Sequence, residues 1–99
     1  MNPTLTDFIT LRDALSTFGP EVQTLMVMEE MAELQKELCK HARGAQNVSR
    51  IAEEIADVRI MLEQMELLHE CHGLVKQFRE QKLIRLRHRI DCVREGDTR

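Results

Sequence analysis

Two pairs of acidic residues could do chemistry in this sequence, because each pair shares one side of a predicted helix. Glu30 and Glu33 are three residues apart, and so are Glu54 and Asp57. Side chains three apart on a helix have Cβ atoms about 5–6 Å from one another. Apolar neighbours flank both pairs, which places the carboxylates at the edge of an apolar stripe. Carboxylates that converge there repel one another unless a cation lies between them, and Mg²⁺ prefers such oxygen ligands.

A hydrated acidic face is the competing interpretation of the same residues. An acidic pair at this spacing in a charge-rich helix ordinarily faces solvent, and a single pair carries little information. Two such pairs on consecutive helices, each beside apolar residues, are harder to explain in that way. The spacing alone leaves both interpretations open.

Capping residues and glycines divide the chain into four segments of helical periodicity. Strong helix formers are plentiful, Gly and Pro together number six, and Trp and Tyr are absent. We therefore predict an all-α fold, a four-helix bundle formed by a single domain over residues 1–99. The predicted helices run, in chain order, from Thr4 or Thr6 to Phe18, from Pro20 to about Arg43, from Asn47 or Ser49 to Gly73, and from about Leu74 to Val93.

Apolar residues at helical spacing define the predicted core, which includes all three phenylalanines, Phe8, Phe18 and Phe78. In the second, third and fourth helices the predicted inner stripes are Val22, Leu25, Met26, Leu34 and Leu38; Val48, Ile51, Ile55, Val58, Leu62, Met65 and Leu68; and Val75, Phe78, Leu83, Leu86, Ile90 and Val93. A 99-residue chain buries only about 60–65% of its unfolded surface, so its core alone is marginal. We expect other copies of the chain to complete the bundle.

The acidic motif resembles the signature of a known enzyme family. Glu29-Glu30-x-x-Glu33 followed by Glu54-x-x-Asp57 is similar to the E-E-x-x-E…E-x-x-D pattern of MazG-like nucleotide pyrophosphohydrolases, which belong to the all-α NTP pyrophosphatases. The sequence around Lys40, Arg43 and Gly44 resembles the exit of the family's second helix. The resemblance covers roughly residues 20–92.

This resemblance implies a MazG-like helical bundle that hydrolyses a nucleoside triphosphate to its monophosphate and pyrophosphate. Carried over by position, Glu30, Glu33, Glu54 and Asp57 match the ligands of Mg²⁺, for which Mn²⁺ can substitute. Glu33 is our choice for the general base. Relatives assemble as dimers or tetramers, so the resemblance implies a homodimer or a homotetramer.

Phosphate groups also need basic side chains, because charge on the departing pyrophosphate must be stabilised. Lys40 on the predicted second helix, and Arg79 and Lys82 on the fourth, are the substrate-binding candidates. Each could equally be a solvated surface charge.

The charge distribution supports a second hypothesis of a different class. Residues 76–99 are net basic whereas residues 1–75 are net acidic. The chain could thus be a non-catalytic interaction module whose basic last helix binds a partner or RNA, although the absence of a recognition motif disfavours nucleic acid. A MazG-like chain that acts as a regulator is a third alternative.

The cysteines and the hydropathy of the sequence bear on where the protein acts. The three cysteines form no C-x-x-C pair, and no apolar run approaches the length of a membrane span or a signal peptide. We expect a cytoplasmic protein with reduced thiols and no membrane partner.

Overall fold

The computed structural model describes residues 4–96 and confirms the all-α prediction. Within that range the regular structure is entirely helical, with no strand. The helices are α1 (Leu5–Phe18), α2 (Pro20–Ala42), α3 (Val48–Leu68) and α4 (His72–Arg94). None of these helices combines the length and apolar composition that crossing a bilayer requires.

Local signals set the first helix boundaries. Thr4 caps α1 through a capping box: its hydroxyl accepts from the Asp7 amide, and its own amide donates to the Asp7 carboxylate, both at 3.1 Å. Gly19 then takes φ +90°, a conformation that other residues rarely adopt. Pro20 begins α2, where its missing amide hydrogen costs nothing.

The predicted end of α3 at Gly73 is wrong, since α3 ends at Leu68 and Gly73 lies in the first turn of α4. The helix closes with a Schellman motif, in which the Cys71 amide donates to the Glu66 carbonyl at 3.0 Å. Its left-handed position is occupied by Glu70, with φ +50°. Glycine ordinarily marks this position, so the sequence carried no signal for the stop.

Hydrogen bonds between polar side chains join α2 and α3 at both ends of this antiparallel pair. At one end the buried amide of Gln23 donates to Gln64 across the two helices at 2.7 Å. At the other end the Asn47 amide donates to the side-chain carboxylate and the main-chain carbonyl of Glu37, each at 2.9 Å. The Asn47 Oδ1 atom is buried without a partner. These two contacts set the register of the helices.

The core is smaller than predicted, and α2 is rotated relative to its predicted orientation. Of the apolar residues in the described range only four are buried, each with 6–8% of its surface still exposed: Leu11, Val27, Val58 and Met61. The inner face of α2 is instead formed by Gln23, Val27 and Glu37. Much of the predicted stripe is exposed, including Val22, Leu25 and Leu38 on α2 and Val48, Ile55 and Leu62 on α3. The orientation of α2 follows from its polar contacts, because the hydrogen bonds to Gln64 and Asn47 turn Gln23 and Glu37 toward the interior.

The three phenylalanines do not enter the core, which corrects their predicted placement. Phe8, Phe18 and Phe78 are 37%, 60% and 53% exposed. Three helices with a narrow interior do not enclose side chains of this size. The Phe8 ring instead makes a cation–π contact with the Arg12 guanidinium, which lies 5.9 Å from the ring centroid.

The fourth helix stands apart from the others. Among the described residues α4 contacts α3 but neither α1 nor α2, and none of its side chains is buried. The radius of gyration is 17.0 Å, against about 13 Å for a compact chain of this length. One chain therefore packs three helices, and its fourth helix completes no bundle.

We expect Gln64→Ala to lower the free energy of unfolding by about 1–3 kcal/mol, because it leaves the buried Gln23 amide without its partner. Gln23→Leu combined with Gln64→Leu should cost much less, since neither amide then remains buried. Urea unfolding of the wild type, of Gln64→Ala, of the single variants Gln23→Leu and Gln64→Leu, and of their double variant tests this. Purely additive losses would show that the two amides are not coupled.

Glu37 makes the stability of the folded chain depend on pH in the acid range. The hydrogen bond from Asn47, aided by Lys40, holds the pKa of Glu37 below its ordinary value of 4.5. The folded state thus binds this proton less readily, so the contribution of Glu37 is present above pH 4.5 and is lost as the pH falls through the lowered pKa. Glu37→Gln should flatten the acid limb of a stability-against-pH curve, whereas the exposed control Glu29→Gln should retain it. An unchanged limb in Glu37→Gln contradicts this assignment.

Candidate metal centre

Three of the four predicted ligands meet at the α2–α3 interface. Glu30 on α2 faces Glu54 and Asp57 on α3, and each offers one carboxylate oxygen within 4.8 Å of the others. Glu54 and Asp57 are neighbours because they lie one helical turn apart. Glu30 joins them because antiparallel packing brings the middle of α2 level with this turn.

Glu54 is the most enclosed of the three carboxylates. Its side chain is 8% exposed, and its Oε2 atom is buried with no hydrogen-bond partner. Glu30 and Asp57 are half-buried. Within residues 4–96 no Lys, Arg or His side chain forms an ion pair with any of the three. A buried carboxylate oxygen without a donor is costly, and a cation would remove that cost.

The neighbouring carboxylates make Glu30 harder to ionise. Desolvation, followed by the negative charges of Asp57, Glu54 and Glu33, raises the pKa of Glu30 above its ordinary value of 4.5. Two like charges 4–5 Å apart repel by about 1 kcal/mol in water and about 3–4 kcal/mol near a protein surface. The group therefore favours either a bound proton or a bound cation.

The donor set fits a hard divalent cation. All three donors are carboxylate oxygens, and their span of 4.8 Å is close to the roughly 4.2 Å between opposite ligands of one Mg²⁺ ion. Mg²⁺ usually takes few carboxylates and completes its shell with water and phosphate oxygens. The half-buried Glu30 and Asp57 leave one side of the group open for such ligands.

The fourth predicted ligand, Glu33, lies outside this group. It is exposed one turn after Glu30, near enough for its charge to raise the pKa of Glu30. The flanking acids Glu29 and Glu53 are also exposed, as expected for the solvent side of each helix.

The predicted substrate-binding cations are not assembled around the carboxylates. Lys40 is exposed and pairs with Glu37, its Nζ lying 3.4 Å from the carboxylate. Arg79 and Lys82 are exposed on α4, which does not contact α2. A single chain therefore leaves Arg79 and Lys82 apart from Glu30.

A separate cleft of about 860 Å³, which the sequence did not indicate, lies between α1, the end of α3 and the start of α4. Arg12 and Phe8 line it, as do Glu66 and His72, whose side chains pair at 2.9 Å. Glu66 follows Asp57 by nine residues, about 13 Å along α3, so the cleft is distinct from the carboxylates. Its lining residues come from segments that are far apart in the sequence, so no local sequence pattern predicts the cleft.

Comparison of the chain with protein-family models, curated proteins and solved structures yields no match.

We expect Mg²⁺ to bind at this centre and Glu54→Gln to weaken binding by at least about tenfold. Glu53→Gln is the matched control, because it makes the same charge change one residue away on the exposed side of α3. Calorimetric titration measures both affinities. Equal affinity of Glu54→Gln and the wild type would rule out the carboxylate centre as the Mg²⁺ site.

The raised pKa of Glu30 adds a pH dependence. Without metal, the folded state binds this proton more tightly than the unfolded state, so the stabilising effect is present below pH 4.5 and is lost as the pH rises through the raised pKa. Mg²⁺ competes with that proton, so its affinity should fall as the pH is lowered and its binding should release protons. Titrations in buffers of different ionisation enthalpy detect the release.

Proposed function

We propose that the protein is a Mg²⁺-dependent nucleoside triphosphate pyrophosphohydrolase that converts a (d)NTP to the (d)NMP and pyrophosphate. The supporting observation is the convergence of Glu30, Glu54 and Asp57 around a buried carboxylate oxygen that has no partner. These residues occupy three acidic positions of the motif that resembles the MazG-like signature.

The proposed roles follow from position and exposure. Glu30, Glu54 and Asp57 hold Mg²⁺, which when bound neutralises phosphate charge and lowers the pKa of a coordinated water. Mn²⁺ accepts the same oxygen ligands and can substitute. Glu33 is exposed beside the group and is free to act as the general base.

The reaction is a hydrolysis of one phosphoanhydride bond. A water oxygen forms a bond to the α-phosphorus while the bond from that phosphorus to the bridging oxygen breaks. The water proton passes to the Glu33 carboxylate, and pyrophosphate leaves with the bridging oxygen. Lys40 can offset charge on the phosphates only in part, because it already pairs with Glu37.

Self-association, as a homodimer or homotetramer, is part of the proposal. Met31 and Leu38 are exposed seven residues apart on α2, as are Ile55 and Leu62 on α3. Ile55 lies about 160° around α3 from Asp57, so a second copy could cover this apolar side and leave the carboxylates open. The free thiols of the three cysteines fit the cytoplasm, where we place the protein.

A non-catalytic interaction module is the alternative function, and the composition of α4 favours it. This helix carries seven basic and two acidic residues and buries no side chain. In such a module the basic helix would bind a partner or RNA, and the acidic group would be a hydrated face.

A panel of canonical and modified nucleoside triphosphates, assayed for pyrophosphate release with Mg²⁺ and with Mn²⁺, tests the enzyme. We expect release with at least one nucleotide and a loss of about 10²-fold or more in Glu54→Gln, because the cation site is disrupted. Glu53→Gln should remain near wild type. No release across the panel, together with RNA binding that depends on Arg85 and Arg87, would favour the module.

A further inference from the structure

The cleft beside the joint between α3 and α4 has the size and the lining of a small-molecule site. Its volume of about 860 Å³ lies within the roughly 300–1,000 Å³ that is typical of such sites. One wall belongs to α1, and the other belongs to the end of α3 and the first turn of α4. The apolar part of the lining consists of Phe8, Ile9, Leu15, Pro20, Leu67 and Leu68. This lining suits a ligand with an apolar body.

Glu66 is the most enclosed charged residue of the cleft. Its side chain is 21% exposed, whereas the other charged residues of the lining are classed with the exposed surface. The Oε1 atom of Glu66 pairs with Nδ1 of His72 at 2.9 Å. Within residues 4–96 no hydrogen bond reaches its Oε2 atom, which is still accessible. A largely enclosed carboxylate oxygen without a donor is suited to a ligand that brings one.

The charges around the cleft favour a cationic ligand. Asp13, Glu66 and Glu70 contribute carboxylates, and Arg12 contributes the one guanidinium of the described lining. That guanidinium lies 5.9 Å from the centroid of the Phe8 ring, whose face offsets part of its charge. The remaining negative excess attracts an ammonium group and repels a phosphate or a carboxylate. A nucleotide is therefore a poor ligand for this cleft.

We propose that the cleft binds an organic amine, in which an apolar body carries a protonated amino group that donates to Oε2 of Glu66. The apolar body then packs against the leucines of α1 and α3. This site is distinct from the carboxylate centre and does not depend on the function proposed above. Its lining also excludes Met31, Leu38, Ile55 and Leu62, the residues of the proposed self-association surface.

A ligand in this cleft restrains α4. Among the described helices α4 contacts only α3, so its direction depends on the joint at residues 69–71. An amine held between α1 and this joint adds contacts on a second side. We therefore expect residues 69–75 to exchange their amide hydrogens more slowly when the cleft is occupied.

Tryptamine is a suitable probe, because it joins an ammonium group to an apolar indole and the chain contains neither Trp nor Tyr. The anisotropy of its indole fluorescence, followed as the full chain is added, measures binding. Tryptophol carries a hydroxyl in place of the ammonium group, and indole-3-acetate carries a carboxylate. We expect tryptamine to bind at least about tenfold more tightly than either, because charge-assisted hydrogen bonds are stronger than neutral ones.

Two charge variants should change this affinity in opposite directions. Glu66→Gln should weaken tryptamine binding about tenfold, because the ammonium group loses its charged acceptor. Arg12→Gln should strengthen binding about twofold or more, because a repelling charge is removed. Glu54→Gln is the matched control: it makes the same change as Glu66→Gln at the carboxylate centre, about 18 Å away along α3, and should bind tryptamine like the wild type.

Asp13→Asn provides a second test of the site, because Glu66→Gln also alters the pair with His72. This change removes a lining carboxylate from α1 and leaves that pair in place. It should weaken tryptamine binding about twofold or more. Circular dichroism checks that every variant remains helical.

Each outcome bears on the amine site separately from the enzyme. Equal binding of the three probes, or tighter binding of indole-3-acetate, overturns the site. Tryptamine binding that is weakened by Glu54→Gln but unchanged in Glu66→Gln and Asp13→Asn moves the amine to the carboxylate centre and also overturns it. Unchanged amide exchange at residues 69–75 with tryptamine bound overturns the restraint on α4 alone. None of these measurements uses a nucleotide, so a protein inactive on every nucleoside triphosphate leaves the amine site standing.

Discussion

The antiparallel register of α2 and α3 is the constraint on which the other features depend. Two polar contacts fix it, one between Gln23 and Gln64 and one between Glu37 and Asn47. Hydrogen bonds between buried side chains specify position more strictly than apolar contacts, because a shift of one residue leaves amide and carboxylate atoms unpaired. Between these two contacts the register brings Glu30 level with the acidic turn of α3.

This register has an electrostatic cost that the isolated chain does not offset. The carboxylates repel one another, desolvation raises the pKa of Glu30, and one oxygen of Glu54 is buried without a partner. Such an arrangement is a poor source of stability, and its three carboxylates are a group that could hold a cation. The polar pairs at the two ends hold the helices together around this repulsion.

The interior of the described helices is small for their length. Four apolar residues are buried in the described part of the chain, and the long helices leave many of their other apolar residues exposed. Among the described helices α4 is basic, contacts only α3 and buries no side chain.

The sequence by itself was sufficient for the local features: the helical fold, a threonine cap at the start of the first helix, the break at Gly19, and the one-turn spacing of Glu54 and Asp57. Each depends on residues within one or two turns. Convergence of Glu30 with the α3 pair, the exclusion of Glu33 from that group, and the burial of Gln23 and Glu37 required the tertiary structure. Helical periodicity shows which residues share a face, but contacts across 41 residues, such as that between Gln23 and Gln64, determine which face turns inward.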